Sequence, residues 1–229
     1  LIMENEDKKV VIFDLDGTLI ERHLWVGILK RHLKTKENLF WSFWYLITHF
    51  FAFPLWKMKL ISTKKFYQSW ARDMSIMMKG IKLEKGRETF NWVAEKYLLP
   101  STKWQVLNRL RNHQKEGFLT ILTSGSFQEV VEMIAKSLNI DFALGTELEI
   151  YRDKFTGKII PPLCFGEGKK EKLENLLSKK NLKVDFKASF AYSDSIFDLP
   201  ILNLTGNPVV TKPDKKLLKV AKSKGWQII

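Results

Sequence analysis

Residues 12–19, Ile-Phe-Asp-Leu-Asp-Gly-Thr-Leu, restrict the possible folds of this chain more than any other stretch. The apolar run Val10-Val11-Ile12-Phe13 stops abruptly at Asp14 and Asp16. An unbroken apolar, β-branched run reads as a strand buried on both faces, the habit of parallel sheets. The acids then fall at its C-terminal edge, where open α/β sheets bind ligands. Asp14 and Asp16 flank Leu15, so in extended backbone their carboxylates share one face. Gly17 lets the chain turn away sharply. Two solvated acids in a turn fit the same local pattern, and residues far downstream decide between the readings.

From Phe118 onward, apolar strands alternate with helical patterns in the βαβ manner. Strands are expected near 118–123, 141–144, 188–193, 207–211 and 226–229, and helices near 127–138, 167–180 and 214–224. A hairpin is expected over 147–161, turning at Thr156-Gly157. Three further stretches carry chemistry. Leu119-Thr120-Ile121-Leu122-Thr123-Ser124-Gly125-Ser126 is an apolar strand ending in hydroxyl residues. Gly166-Glu167-Gly168-Lys169 opens a helix that continues through Leu173 and Leu176. Tyr192-Ser193-Asp194-Ser195-Ile196-Phe197-Asp198 places an acidic pair after a strand. Each has a plain reading by itself: Lys169 as one of a solvated face with Lys170 and Lys172, Ser124, Asp194 and Asp198 as helix caps. Their joint order argues against coincidence.

Together the four motifs resemble those of the haloacid dehalogenase superfamily. The wording Gly-Glu-Gly-Lys and Tyr-Ser-Asp-Ser-x-x-Asp is similar to its phosphoserine-phosphatase-like branch (subfamily IB), and the resemblance runs from about residue 9 to the C-terminus. It implies an α/β fold: a Rossmann-like parallel-sheet core from residues 1–20 and 101–229, with an all-helical C1-type cap, residues 21–100, inserted between the first two motifs. The cap would close over the site and exclude water.

The resemblance also implies roles. Asp14 is the nucleophile that becomes an aspartyl-phosphate, and Asp16 the acid/base. Mg²⁺ is held by Asp14, Asp194 and the carbonyl of Asp16, with Asp198 in its inner or outer sphere. Ser124 donates to a phosphoryl oxygen, Lys169 neutralises charge, and amides at Gly17, Thr18 and Gly125 add donors. The chemistry is coherent. A carboxylate cannot approach a phosphate dianion without a screening cation, and Mg²⁺ favours few carboxylates and oxygen donors. An alkoxide leaves badly unless protonated, which calls for an acid at position 16. Dehalogenases of the superfamily do not need that acid, and its transport ATPases carry threonine there. Phosphate-monoester hydrolysis is therefore expected, with a phosphomutase as the alternative and a phosphorylated small molecule as partner. Serine-specific members carry glutamate seven residues after the acid/base, where this chain has His23, and asparagine where it has Phe197. Phosphoserine is thus disfavoured, although Glu21 lies close enough to compensate. Glu21 and His23 are the candidate specificity residues.

Composition agrees with a compact enzyme of 229 residues. A single cysteine, Cys164, permits no internal disulfide and suits a reducing compartment. The four histidines show no metal-ligand spacing. No basic start with an apolar run and small cleavage residues is present, so a cytoplasmic rather than secreted protein is expected. The chain begins Leu1-Ile2-Met3, and residues 1–2 are not taken as a native start. The net charge of +13 comes without a nucleic-acid-binding motif, and attraction of phosphate substrates explains it equally well.

Residues 38–56 hold nine aromatic rings and no charge. On a helical wheel Asn38, Ser42, Tyr45 and His49 form one thin polar stripe, and Pro54 is expected to end the helix. A single membrane span would separate Asp14 from Ser124, Lys169 and Asp194, so none is expected. Two readings stay open: a central helix buried by its cap neighbours, or a cap lying on an anionic membrane surface, peripheral at an inner face. Residues 21–100 hold 15 Lys and Arg against six Asp and Glu, and Lys30, Arg31, Lys34, Lys36, Lys57, Lys59, Lys64 and Lys65 bracket the greasy run. The second reading brings in a lipid phosphate as substrate, since the same branch includes a phosphatidylglycerophosphate phosphatase with a comparably apolar insert.

Overall fold

A computed structural model describes residues 7–229; the part of the expected core at residues 1–6 lies outside them. β1 (Val10–Asp14) is buried at every position. It pairs in parallel with β2 (Leu119–Phe127) on one side and β5 (Phe190–Ser193) on the other. Its side chains alternate, Val11 and Phe13 entering one apolar core and Val10 and Ile12 the other. That two-sided burial is why the run is continuously apolar. With β3 (Phe142–Tyr151), β4 (Lys154–Ile160), β6 (Asn207–Val210) and β7 (Gln227–Ile228), the sheet order is β4-β3-β2-β1-β5-β6-β7. Among the described residues the β3–β4 pairing is the one antiparallel pairing of this sheet. The chain is an α/β protein with a Rossmann-like core, as expected.

Between β1 and β2 the chain is helical: α1 (Leu24–Thr35), α2 (Leu39–Lys57), α3 (Thr63–Asp73), α4 (Leu83–Trp92), short 3₁₀ and π turns, and α5 (Trp104–Lys115). α5, on which Val106 and Leu110 are buried, was not foreseen. α6 (Gln128–Ser137), α7 (Glu167–Lys179), α8 (Leu199–Leu202) and α9 (Lys215–Lys224) complete the set. β2 runs four residues past its expected end, its pairing with β3 shifting register between Thr123 and Phe127.

The β3–β4 turn is not at Thr156-Gly157. Tyr151 pairs with Lys154, so Arg152 and Asp153 form the two-residue connection. Both have positive φ (46° and 61°), the backbone a twisted hairpin needs. The hairpin leans on the helical insertion. Gly80 N donates to Phe155 O at 2.8 Å, Phe155 N to Ile81 O at 3.0 Å, and Leu83 N to Asp153 O at 3.0 Å. Ser75 Oγ reaches Gly157 O at 2.8 Å.

α2 corrects two expectations. Pro54 does not end it; the helix continues to Lys57, because a proline costs one ladder bond while the following turn is still closed by Met58 N–H on the Pro54 carbonyl at 2.9 Å. More importantly, its polar stripe faces inward. Ser42, Tyr45 and His49 are buried. Asn38 Nδ2 donates to Met77 O at 2.6 Å, His32 Nδ1 meets Ser42 Oγ at 2.7 Å, and Tyr45 OH donates to Trp70 O at 3.2 Å. Burial pushes the His32 imidazole down to about 4, so it is neutral there. The aromatic side faces outward, with Phe40 67%, Phe50 72% and Phe51 69% exposed. The reading in which neighbours bury the greasy face is overturned: polar groups with partners on α1, α3 and the Met74–Met78 turn set the helix rotation. No helix among the described residues is long and apolar enough to cross a membrane.

Candidate active site

The C-terminal ends of β1, β2 and β5 meet at one edge, Asp14 in register with Thr123 and Phe13 with Tyr192. Asp14, the last residue of β1, is 7% exposed. Lys169 comes from the first turn of α7, whose entry depends on Gly168, since a Cβ there would overlap the Leu163 carbonyl. Lys169 Nζ donates to Asp14 Oδ1 at 2.6 Å and contacts Asp198 Oδ1 at 2.8 Å. Ser193 Oγ donates to Asp198 Oδ2 at 2.7 Å. Lys169 is only 3% exposed, which removes the solvated-face alternative; Lys172 instead pairs with Glu147 at 3.0 Å. Both oxygens of Asp198 are thus occupied by Lys169 and Ser193.

Gly17, at φ +84°, turns the chain directly after the motif, and a Cβ on it would collide with the Asp194 carboxylate. Thr18 Oγ1 donates to Asp194 Oδ1 at 3.1 Å. Asp16 lies in a second group. Its Oδ2 accepts from Ser124 Oγ at 2.7 Å and Ser126 Oγ at 2.9 Å, and its Oδ1 is 3.9 Å from His23 Nδ1. So Asp14, Thr18, Lys169, Asp194 and Asp198 are gathered on one side, and Asp16, Ser124 and His23 on the other. Gly125 is roofed by Ala71 of α3, 3.6 Å from where its Cβ would be. Glu21 is exposed at the rim, 3.8 Å from Lys212, and is not brought to His23's side of Asp16 by any contact. Cys164 is a free, buried thiol pushed up to about 11 by burial, with no role in either group.

Three contributors escaped the sequence reading. Ser126 sits two residues after Ser124 on an extended strand, so a shared face was inferable. Ser193 immediately precedes Asp194. Lys103, whose Nζ donates to the Gly17 carbonyl, gave no motif signal. Burial lowers the Lys103 ammonium, while the Asp194 carboxylate beside it acts the other way.

The charge balance of the first group is negative. Burial raises Asp14 well above the usual carboxylate range; Lys169 opposes this, and Asp198 and Asp194 add to it. Burial raises Asp194 to about 6, with Asp198 contributing. Burial also disfavours the Lys169 ammonium, yet Asp14 and Asp198 outweigh it and hold the lysine charged. Three carboxylates around one ammonium leave excess negative charge at an all-oxygen donor set, which suits a hard divalent cation. The space above Gly17 that a Cβ would fill lies against Asp194. Among the described residues no three His, Cys, Asp or Glu side chains are grouped so as to hold a metal ion by themselves; Mg²⁺ is commonly bound through only one or two carboxylates.

The sequence model of the haloacid dehalogenase-like hydrolase family matches residues 11–203. A histidinol-phosphatase of Neisseria meningitidis is 26% identical over 97% of this chain and 98% of its own. A probable phosphatase of Mycobacterium tuberculosis is 33% identical over 51% of this chain, and the match spans 40% of that relative's length. Among solved structures, a Bordetella pertussis protein of unknown function superposes with a TM-score of 0.80 at 21% identity, over 97% of this chain and 98% of that one.

Proposed function

Because the chain belongs to the haloacid dehalogenase-like hydrolases, we propose that it is a phosphatase that cleaves phosphate monoesters through an aspartyl-phosphate on Asp14. The observation that carries this reading is the buried Asp14 carboxylate held at a strand end by Lys169 at 2.6 Å, with Asp16 two residues on in its own hydroxyl cradle. A carboxylate oxygen of Asp14 attacks phosphorus in line with the ester oxygen. The departing alkoxide takes a proton from Asp16, leaving the product alcohol and Asp14 esterified to phosphate. Asp16, now ionised, takes a proton from water as its oxygen attacks phosphorus; inorganic phosphate leaves and Asp14 is restored. The hydroxyls of Ser124 and Ser126 donate to Asp16 Oδ2 and so orient the carboxyl group. The amides of Thr18 and Gly125 would donate to phosphoryl oxygens, joined by the Ser124 hydroxyl when it turns away from Asp16; the Gly17 amide is instead committed to the Ile20 carbonyl at 2.8 Å, and Lys169 supplies fixed positive charge.

Asp14, Asp194 and the Asp16 carbonyl would hold Mg²⁺, which when bound screens the carboxylate from the phosphoryl group. Asp198 acts through Lys169 and Ser193. The helical insertion, residues 21–100, serves as the cap, with α3 over Gly125.

The substrate is a small or amphiphilic phosphate ester. Phe197 stands between Tyr67 of α3 and Phe165, at 5.4 Å and 5.0 Å between ring centroids, an aromatic wall suited to a planar or apolar leaving group. His23 in place of a carboxylate leaves an α-ammonium without a partner, which disfavours phosphoserine. A phosphatidylglycerophosphate-type lipid fits the same wall, and transfer to a second hydroxyl, as in a phosphomutase, uses the same carboxylates.

The test is phosphate release from p-nitrophenyl phosphate and a panel of sugar, amino-acid, nucleotide and lipid phosphates, with Mg²⁺ and with EDTA. Release should require Mg²⁺ and vanish in Asp14→Ala. Undiminished release by folded Asp14→Ala refutes the assignment, and transfer without free phosphate identifies a mutase.

A further inference from the structure

α2 is built with its polar side toward the protein and its aromatic side toward solvent. Phe40, Trp44, Ile47, Phe50, Phe51 and Leu55 recur at spacings of three and four along the outer face, each between 43% and 72% exposed. Scattered exposed apolar residues are ordinary, but a contiguous aromatic stripe along a nineteen-residue helix marks an interaction surface. The charge around it is predominantly positive, with Glu37 and Asp73 as the flanking acids. From Asn38 to Arg72 the sequence contains Lys57, Lys59, Lys64, Lys65 and Arg72 and no acidic residue. The four lysines are exposed at the α2 C-terminus and the start of α3. Lys57 Nζ lies 5.0 Å from the Phe53 ring centroid and Lys79 Nζ 4.0 Å from that of Trp41, so ammonium groups rim the aromatic face.

We propose that this face docks on an anionic phospholipid surface, α2 lying in the interface plane with its aromatic stripe about 5–10 Å into the headgroup–acyl boundary. The basic rim supplies the complement to anionic headgroups. A second copy of this chain fits worse. Pairing two such faces brings two strongly basic rims together with Glu37 the one exposed acid beside each helix start, and bulky Trp44 and Phe51 with Pro54 spoil a close helix–helix seam. A single span does not fit either: the inward polar stripe is committed to His32, Met77 and Trp70. The face lies one helix from the candidate site. Trp56 of α2 stacks on Phe66 of α3 at 4.9 Å, and Tyr67, the next residue, reaches Phe197. Docking would therefore bring the cap side of the site to the interface.

Co-sedimentation with vesicles of equimolar phosphatidylcholine and phosphatidylglycerol, against phosphatidylcholine alone, reads binding without reference to activity and so stands or falls separately from the phosphatase reading. The chain should pellet with the anionic vesicles at low salt and not with the neutral ones. Lys57→Gln with Lys64→Gln should weaken binding about 25-fold, at about fivefold per lysine. Phe50→Ser with Phe51→Ser should abolish it. Circular dichroism identical to the parent shows that these surface variants fold. Absence of pelleting with anionic vesicles overturns the proposal. So does a stable dimer that Phe51→Ser dissolves while vesicles are ignored, which assigns the face to a second copy.

Discussion

Removing the cation at the centre of the carboxylate cluster makes a sharp test. Lys169 is 3% exposed and touches Asp14 at 2.6 Å and Asp198 at 2.8 Å. Lys169→Met keeps an unbranched side chain one atom shorter and leaves two buried carboxylates without their partner. Breaking a buried ion pair from one side costs about 3–5 kcal/mol, because the abandoned charge stays desolvated. In a domain of this size each kcal/mol moves the melting temperature by about 2–4 °C, so a fall of roughly 6–20 °C is expected near neutral pH without Mg²⁺. The deficit should shrink on acidification. Burial already places Asp14 well above its unfolded value, and losing Lys169 places it higher. Between the unfolded and folded pKa the folded state binds more protons, so stability falls as pH rises through that window and is regained below it. Mg²⁺ should restore part of the loss by supplying the missing charge. Asp198→Asn in the Lys169→Met background should cost less than the two single changes added, because one orphaned charge is gone. Urea unfolding at pH 5 and pH 8, with and without Mg²⁺, reads all of this. A deficit below about 1 kcal/mol, or one equal at both pH values, refutes the reasoning.

Two further outcomes follow from the same edge. Asp194 is raised to about 6 in the metal-free protein, so protons should compete with Mg²⁺ as pH falls through that value. The Mg²⁺-induced rise in melting temperature should be full near pH 7.5 and largely gone at pH 5, and a shift independent of pH would remove the metal from Asp194. Gly17→Ala should strain a φ of +84° by about 1–2 kcal/mol and drive the Asp194 carboxylate aside. Calorimetric Mg²⁺ affinity should then drop about 10–100-fold, and unchanged affinity would place the ion elsewhere.

The parts of this molecule that could be read from sequence are those where one residue type serves one purpose. The β1 run is apolar at every position because both faces are covered, and the acids that end it can only sit at the sheet edge. Gly166-Glu167-Gly168-Lys169 was legible because backbone at Leu163 excludes a Cβ from position 168. The β3–β4 turn was misplaced because glycine is the usual signal for positive φ, and here Arg152 and Asp153 adopt it while Gly157, at φ +84°, lies within β4. The rotation of α2 was illegible for a deeper reason. Periodicity locates a polar stripe and an apolar stripe but does not say which one the protein covers, and the usual assumption fails when the polar stripe carries hydrogen-bonding partners. Lys103 was invisible because its place beside Gly17 depends on the path of the chain after the π turn at Val93–Leu98.

The grip between the β3–β4 hairpin and the Ser75–Leu83 stretch has a bearing on turnover. Phe155 exchanges backbone bonds with both Gly80 and Ile81 and lies against Gly86 on α4, so in a closing cap this flank would serve as the fulcrum. Any gape for admitting an ester and discharging phosphate would then widen at the opposite jaw, where Tyr67 meets Phe197 and Ala71 lies above Gly125. Throughput would be tuned from that unbolted lip, and stiffening the bolted flank should leave it unchanged.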